Sequence, residues 1–367
     1  MKLWHIAALL VLGIAVGAAF PGSLTAIFGQ ATLYVFLPAL IFEAAWHLDA
    51  RLMRGSARTI ALLAIPGVVL TAGVIALCVH YFGAFQWSSA LVLGAILSAT
   101  DPVAVIAVFR RLPVPRRLAT IIESEALLND ALAVVLYRAV IAALVLSSDG
   151  AGVWNATWEA LLGVAAGIAI GTALAYTAAL ALRERIGAPV QSAATLVGAY
   201  AAYGLAEYGG WSGIFAVIAF AVVLRELERR RISVASADGV ATFWDVVALV
   251  ANVVLFLLIG AALDFTQLAH SLFASCVTIG AVLLARALLS YGLLALVRTH
   301  LRPFWQTVVR MAGIRGALSL ALALSTPAAL VQRTLVINVT FAVVVVTILA
   351  GTLTLTWRLE GLDLEAE

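Results

Sequence analysis

Four carboxylates, Glu43, Asp101, Glu125 and Asp130, stand inside long apolar stretches of this sequence. A charge at the centre of a hydrocarbon layer costs about 3 kcal/mol even on insertion scales, so such a group pairs with a cation, takes up a proton or serves a function. Asp130 lies 13 residues beyond Arg117. At about 1.5 Å rise per residue, that is roughly 20 Å along a helix, close to mid-membrane. Glu125 is five residues earlier, and Asn129 is its i+4 neighbour on the same helical face. A carboxylate held out of water gains from neutralisation by a proton or by a small cation, so the chemistry on offer is reversible exchange of one for the other.

Two backbone breaks stand beside these groups. In Leu97-Ser98-Ala99-Thr100-Asp101-Pro102 the proline removes a backbone donor and frees a carbonyl one turn back, next to an acid. The second break is Ala312-Gly313-Ile314-Arg315-Gly316. If the two halves of the chain are inverted repeats, these breaks occupy equivalent places, which is the sequence pointer to a transporter site at the repeat interface. Arg315 lies deep enough to need a carboxylate, and Glu125 is its expected partner by depth. Arg286 is a further candidate, for pairing or for a direct role, whereas Arg138 reads as structural. Deep cations are too few to neutralise every acid, which leaves Asp101 and Asp130 for a transported cation. Glu43 follows Pro38 and precedes His47 by one turn, so it either lines a pathway or sits near a span end. All five histidines fall near span ends, where amphipathic rings settle.

The elements that must position these groups are membrane helices. The 367 residues are 64% hydrophobic and 11% charged, with mean hydropathy +1.10. Soluble domains carry roughly a quarter charged residues. The apolar runs approach the about 20 residues of a spanning helix, without the alternation of a barrel strand. They recur near 4–20, 31–48, 59–82, 88–109, 118–146 and 157–182, and again near 190–207, 211–224, 242–263, 271–297, 304–326 and 334–357. The expected fold is an all-α polytopic membrane protein of about twelve spans, with spans 4 and 11 discontinuous.

Arginines give an independent reading of orientation, because cytoplasmic loops collect them. Arg51, Arg54 and Arg58 follow span 2, Arg110, Arg111, Arg116 and Arg117 follow span 4, and the even-numbered loops continue so. The odd-numbered loops hold almost nothing but Arg333. Both termini are then expected in the cytoplasm, with a short tail at 358–367. The net charge of +3 orients spans and implies no nucleic-acid partner. Cys78 and Cys276 lie in apolar runs and read as packing residues, not as a metal site. Gly210-Trp211-Ser212-Gly213 imitates the Gly-x-Ser-Gly of an intramembrane serine protease. It falls in a tight turn with no histidine at mid-span to activate the serine.

Ser98-Ala99-Thr100-Asp101-Pro102-Val103-Ala104 and Glu123-Ser124-Glu125-Ala126-Leu127-Leu128-Asn129-Asp130 resemble the Ala-Thr-Asp-Pro-Val-Ala and Glu-Ser-x-x-Asn-Asp segments of the sodium/proton exchanger family. Gly313-Ile314-Arg315-Gly316-Ala317-Leu318-Ser319 and Phe36-Leu37-Pro38-Ala39-Leu40-Ile41-Phe42-Glu43 are similar to two further segments of that family, and the resemblance runs over about residues 30–350. It implies that Asp130 is the main cation and proton carboxylate, completed as a Na+ site by Thr100 and Asp101. Asn129 and Glu125 would orient it, with Arg315 paired to Glu125 and Ser98 as a further candidate. Where many members carry Ser after the Glu, Ala126 stands here, so one expected ligand oxygen is missing. The resemblance further implies a homodimer, with 1–48 and 157–264 as scaffold and 57–146 and 271–357 as moving core. No cofactor beyond transported Na+ and H+ and no enzymatic activity are expected. Asn129, with no proton of its own to carry, favours one-for-one electroneutral exchange. A sodium-coupled organic-anion symporter is the nearest rival reading.

Overall fold

The computed structural model describes residues 3–19, 23–100, 116–146, 152–181, 187–230, 237–261, 271–293 and 315–360. Asp101, Pro102 and the 312–314 part of the second break lie outside the described residues. Among the described residues all regular structure is helical, in twelve helices. They are α1 (Leu3–Ala19), α2 (Ser23–His47), α3 (Ala50–Phe82), α4 (Trp87–Ser98), α5 (Arg116–Ile141) and α6 (Gly152–Ala181). Then follow α7 (Ala188–Tyr208), α8 (Gly213–Arg229), α9 (Ala237–Ala261), α10 (Leu272–Leu288), α11 (Ala317–Leu324) and α12 (Arg333–Glu360). A π-helical turn extends both α5 (Ala142–Leu146) and α10 (Leu289–Leu293).

Runs of Ala, Leu and Val make helices here because hydrocarbon offers backbone groups no partner except one another. Among the described residues, five helical segments are long and apolar enough to cross a membrane: Ala50–Phe82, Ala119–Leu144, Asn155–Ala181, Asp238–Leu258 and Arg333–Ala350. One expectation needs correction. Arg51, Arg54 and Arg58 are not in a loop but on the first turns of α3, all exposed. Arginine is a good helix former whose long side chain reaches water, so the helix continues past its apolar segment. The same holds for Arg225 and Arg229, which lie within α8.

Two helices are short by construction. The 12 residues of α4 end at Ala99, whose φ −59 and ψ 143 are extended, and the 8 residues of α11 start after Gly316 at φ −127 and ψ −164. α4 ends four residues before Pro102, and α11 begins at the residue after Gly316.

The chain forms two compact units: Met1–Gln30, Leu52–Ser148 and Leu255–Glu367 make one, Ala31–Arg51 and Asp149–Val254 the other. In the first, α4 packs on α5, α11 and α12, and α10 packs on α12. In the second, α6 lies along α8 and α7. Gly167 and Gly171 of α6 set that approach: a Cβ at either would overlap the carbonyl oxygen of Ser212 or Ala216. Gly210 takes φ +75 in the turn into α8, and Ser212 donates its N–H to Gly163 O at 3.1 Å, so the protease-like tetrapeptide is a helix-joining turn. Gly171→Val is expected to destabilise the detergent-purified chain by about 1–3 kcal/mol through overpacking, seen as a lowered melting temperature. Gly204→Ala, which meets nothing within 4 Å, is expected to leave it unchanged.

Candidate cation site

In a continuous helix the N–H of Thr100 would bond the carbonyl of Ile96, four residues back. Extended Ala99 prevents this, and both groups find tertiary partners. The Thr100 N–H donates to Asp130 Oδ1 of α5 at 3.2 Å. The Ile96 carbonyl accepts from Ser319 Oγ of α11 at 3.1 Å. The break in α4 is thus stitched on one side to the carboxylate and on the other to the second short helix. Ser319 was within reach of sequence reasoning only as a serine three places after the Gly316 break.

Asn129 organises the other side. Its Nδ2 donates to Thr100 Oγ1 at 3.2 Å and to Glu125 Oε1 at 3.3 Å. Its Oδ1 is buried without a hydrogen-bond partner among the described residues. Thr100, Asn129 and Glu125 are 4%, 3% and 2% exposed, while Asp130 is half-buried. Three oxygens (Asp130 Oδ1, Thr100 Oγ1 and Asn129 Oδ1) therefore belong to side chains held together by hydrogen bonds in a mostly dry place. Such a hard-oxygen set suits a small hard cation. Ala126 is buried, so the hydroxyl missing there is not restored by exposure to solvent.

Two arginines surround this set. Glu125 forms an ion pair with Arg286, whose Nη1 donates to Glu125 Oε1 at 3.0 Å. Arg315, 1% exposed, interacts electrostatically with Arg286 as a like charge and with Glu125 and Asp130 as opposite ones. Its backbone N–H donates to Thr347 Oγ1 at 3.2 Å. Both arginines that the sequence offered thus act on Glu125. Ser98 donates Oγ to Ala95 O at 2.7 Å, within its own turn. Glu43 belongs to the other unit, where its carboxylate lies 3.7 Å from His47 Nε2. Arg138 is exposed.

An all-helical membrane chain with two short helices meeting at a buried carboxylate cluster is the architecture of a secondary transporter. The chain belongs to the sodium/hydrogen exchanger family: the model of that family's transmembrane region matches residues 1–361. It is 36% identical over 341 residues to the low-affinity Na+/H+ antiporter NhaS1 of Synechocystis sp., covering 90% of this chain and 64% of the relative. It is 36% identical over 342 residues to the Na+/H+ antiporter ApNhaP of Aphanothece halophytica, again covering 90% and 64%. The chain thus spans somewhat less than two thirds of the length of those relatives. Its fold matches the sodium proton antiporter MjNhaP1 of Methanocaldococcus jannaschii with TM-score 0.79 at 20% identity, over 95% of this chain and 92% of that one.

Removing one partner of a buried ion pair costs about 3–5 kcal/mol, because the other charge stays uncompensated. Arg286→Met and Glu125→Gln are each expected to lower thermal stability in detergent by that order. The double variant is expected to recover most of the loss, giving a strong coupling term in a double-mutant cycle.

Proposed function

We propose that this chain exchanges Na+, with Li+ or K+ as further substrates, for H+ by alternating access, with Asp130 as the shared carboxylate. The observation that carries this reading is the grouping of Asp130, Thr100 and Asn129 at the break in α4, with an acceptor oxygen of Asn129 left over. The relatives named above, antiporters of Na+ and H+, support the choice of ions.

The exchange follows from competition. A carboxylate in this place gains from a proton or from a cation, and binding of one displaces the other. Asn129 beside the carboxylate has no proton of its own to carry, so one Na+ or one H+ is the expected load. An uncompensated charge is costly to carry through hydrocarbon, so the moving core crosses only when loaded, and leak is suppressed. The result is electroneutral one-for-one exchange. Thr100, Asp101 and Asp130 hold the cation, Asn129 and Glu125 set their orientation, and Arg315 and Arg286 balance the charge.

The wider assembly is a homodimer in the cell membrane with both termini cytoplasmic, serving pH homeostasis. Residues 1–48 and 157–264 act as dimer scaffold, and 57–146 and 271–357 as the transporting core. The exposed arginines at the start of α3 support the orientation.

Vesicles containing the purified chain, with an acid interior and a pH-sensitive dye, test the reading. Added Na+ is expected to alkalinise the interior, and Asp130→Asn is expected to abolish the response. A membrane potential imposed without an ion gradient is expected to leave the rate unchanged. No dye response to Na+, Li+ or K+ would sink the proposal, and a potential-driven flux would overturn the one-for-one stoichiometry.

A further inference from the structure

Outside the exchange site, three potential metal ligands converge in the unit formed by Ala31–Arg51 and Asp149–Val254: Glu43 and His47 of α2 and Asp245 of α9. Glu43 and His47 are one turn apart on one helical face, so their side chains meet. His47 Nε2 lies 3.1 Å from Asp245 Oδ1 and 3.7 Å from Glu43 Oε1, and all three ligand atoms lie within 4.8 Å of one another. Four ligands about 2.1 Å from a tetrahedral zinc ion sit about 3.4 Å apart. The three atoms therefore need only small side-chain adjustments to enclose an ion.

The geometry is built from beneath. Phe42 stacks on Trp244 with ring centroids 4.2 Å apart and on Trp46 at 5.5 Å. Trp46 and Trp244 are 1% and 0% exposed, and Trp244 Nε1 donates to Thr195 Oγ1 at 3.0 Å. Each ligand is the next residue after a member of this aromatic floor: Glu43 after Phe42, His47 after Trp46, Asp245 after Trp244. The stacked rings hold α2 and α9 in register and leave the three polar side chains at the rim. There they are 23%, 36% and 48% exposed, open to an entering ion and to a water in the fourth position. His47 ends α2, and a helix C-terminus favours positive charge. Arg229, Arg230 and Arg225 of the same unit hold acids of their own, Asp49, Glu226 and Glu228.

We propose that Glu43, His47 and Asp245 form a binding site for a transition-series divalent cation of the Zn2+ class, bridging α2 to α9. One imidazole nitrogen with two carboxylates suits Zn2+ or Co2+. Ca2+ calls for six to eight oxygens and Mg2+ for an octahedral oxygen shell. The site stabilises its unit by binding the folded state alone.

The full chain, purified in detergent without a polyhistidine tag, is titrated with ZnCl2 by calorimetry, and its melting temperature is followed. One saturable equivalent of Zn2+ and a raised melting temperature are expected. His47→Ala and Asp245→Asn are each expected to weaken binding about tenfold or more, while His80→Ala leaves it intact. Wild-type chain loaded with Co2+ is expected to gain a visible absorption band that one equivalent of Zn2+ removes, a readout that depends on no variant. Absence of saturable Zn2+ binding, absence of the Co2+ band, binding that survives His47→Ala, or an equal effect of Mg2+ would each overturn the site. None of these readouts involves ion exchange, so failure here leaves the antiport reading untouched.

Discussion

One backbone amide organises the first unit. Because Ala99 is extended, the Thr100 N–H is spent on Asp130, and the carbonyl it would have bonded is spent on Ser319. In hydrocarbon neither group could be left open, since an unpaired buried amide or carbonyl costs about 1–3 kcal/mol. A broken helix is therefore stable in a membrane only where neighbouring elements complete it. Here α5 and α11 do so, and that requirement fixes the carboxylate against the end of α4. The site and the fold are consequences of the same exchange of partners.

The charged groups are placed by the same economy. Glu125 accepts from both Arg286 and Asn129 and is only 2% exposed, so it is satisfied and has little left to offer an ion. Asp130, five residues on, accepts the Thr100 N–H at its Oδ1 and is half-buried. Two acids on one helix thus have different surroundings, one pairing with Arg286 and one bonded to the end of α4. Arg315 interacts electrostatically with both and is an opposite charge to each.

Much of this was legible in the sequence, and the limits have physical causes. Helix number and the two interruptions follow from apolar run length, proline and glycine, which act locally. Depth arithmetic brought Glu125, Asn129 and Asp130 onto one helix near mid-membrane. It named Arg315 as the partner of Glu125 and left Arg286 open, because depth is one coordinate and the pairing of Arg286 with Glu125 needs three. Helix ends were also misjudged at α3 and α8, where arginines extend helices beyond their apolar segments. Glu43 read from its neighbours in sequence either as lining an ion path or as sitting near a span end. Its grouping with Asp245, about two hundred positions away, arises from a ring stack that no periodicity announces.

Asn129 repays closer attention to its two ends. Glu125 Oε1 can only accept while ionised, so the amide nitrogen of Asn129 must face it, and Nδ2 is also the atom that reaches Thr100 Oγ1. The orientation of the amide is therefore set by chemistry, and Oδ1 is a buried acceptor without a donor among the described residues. An aspartate at this position would put two carboxylates where a charge-assisted hydrogen bond now stands, and the repulsion would disturb Arg286 as well. Asparagine thus meets two demands with one side chain. It carries no titrating proton, and it supplies the donors that keep Thr100 and Glu125 in place.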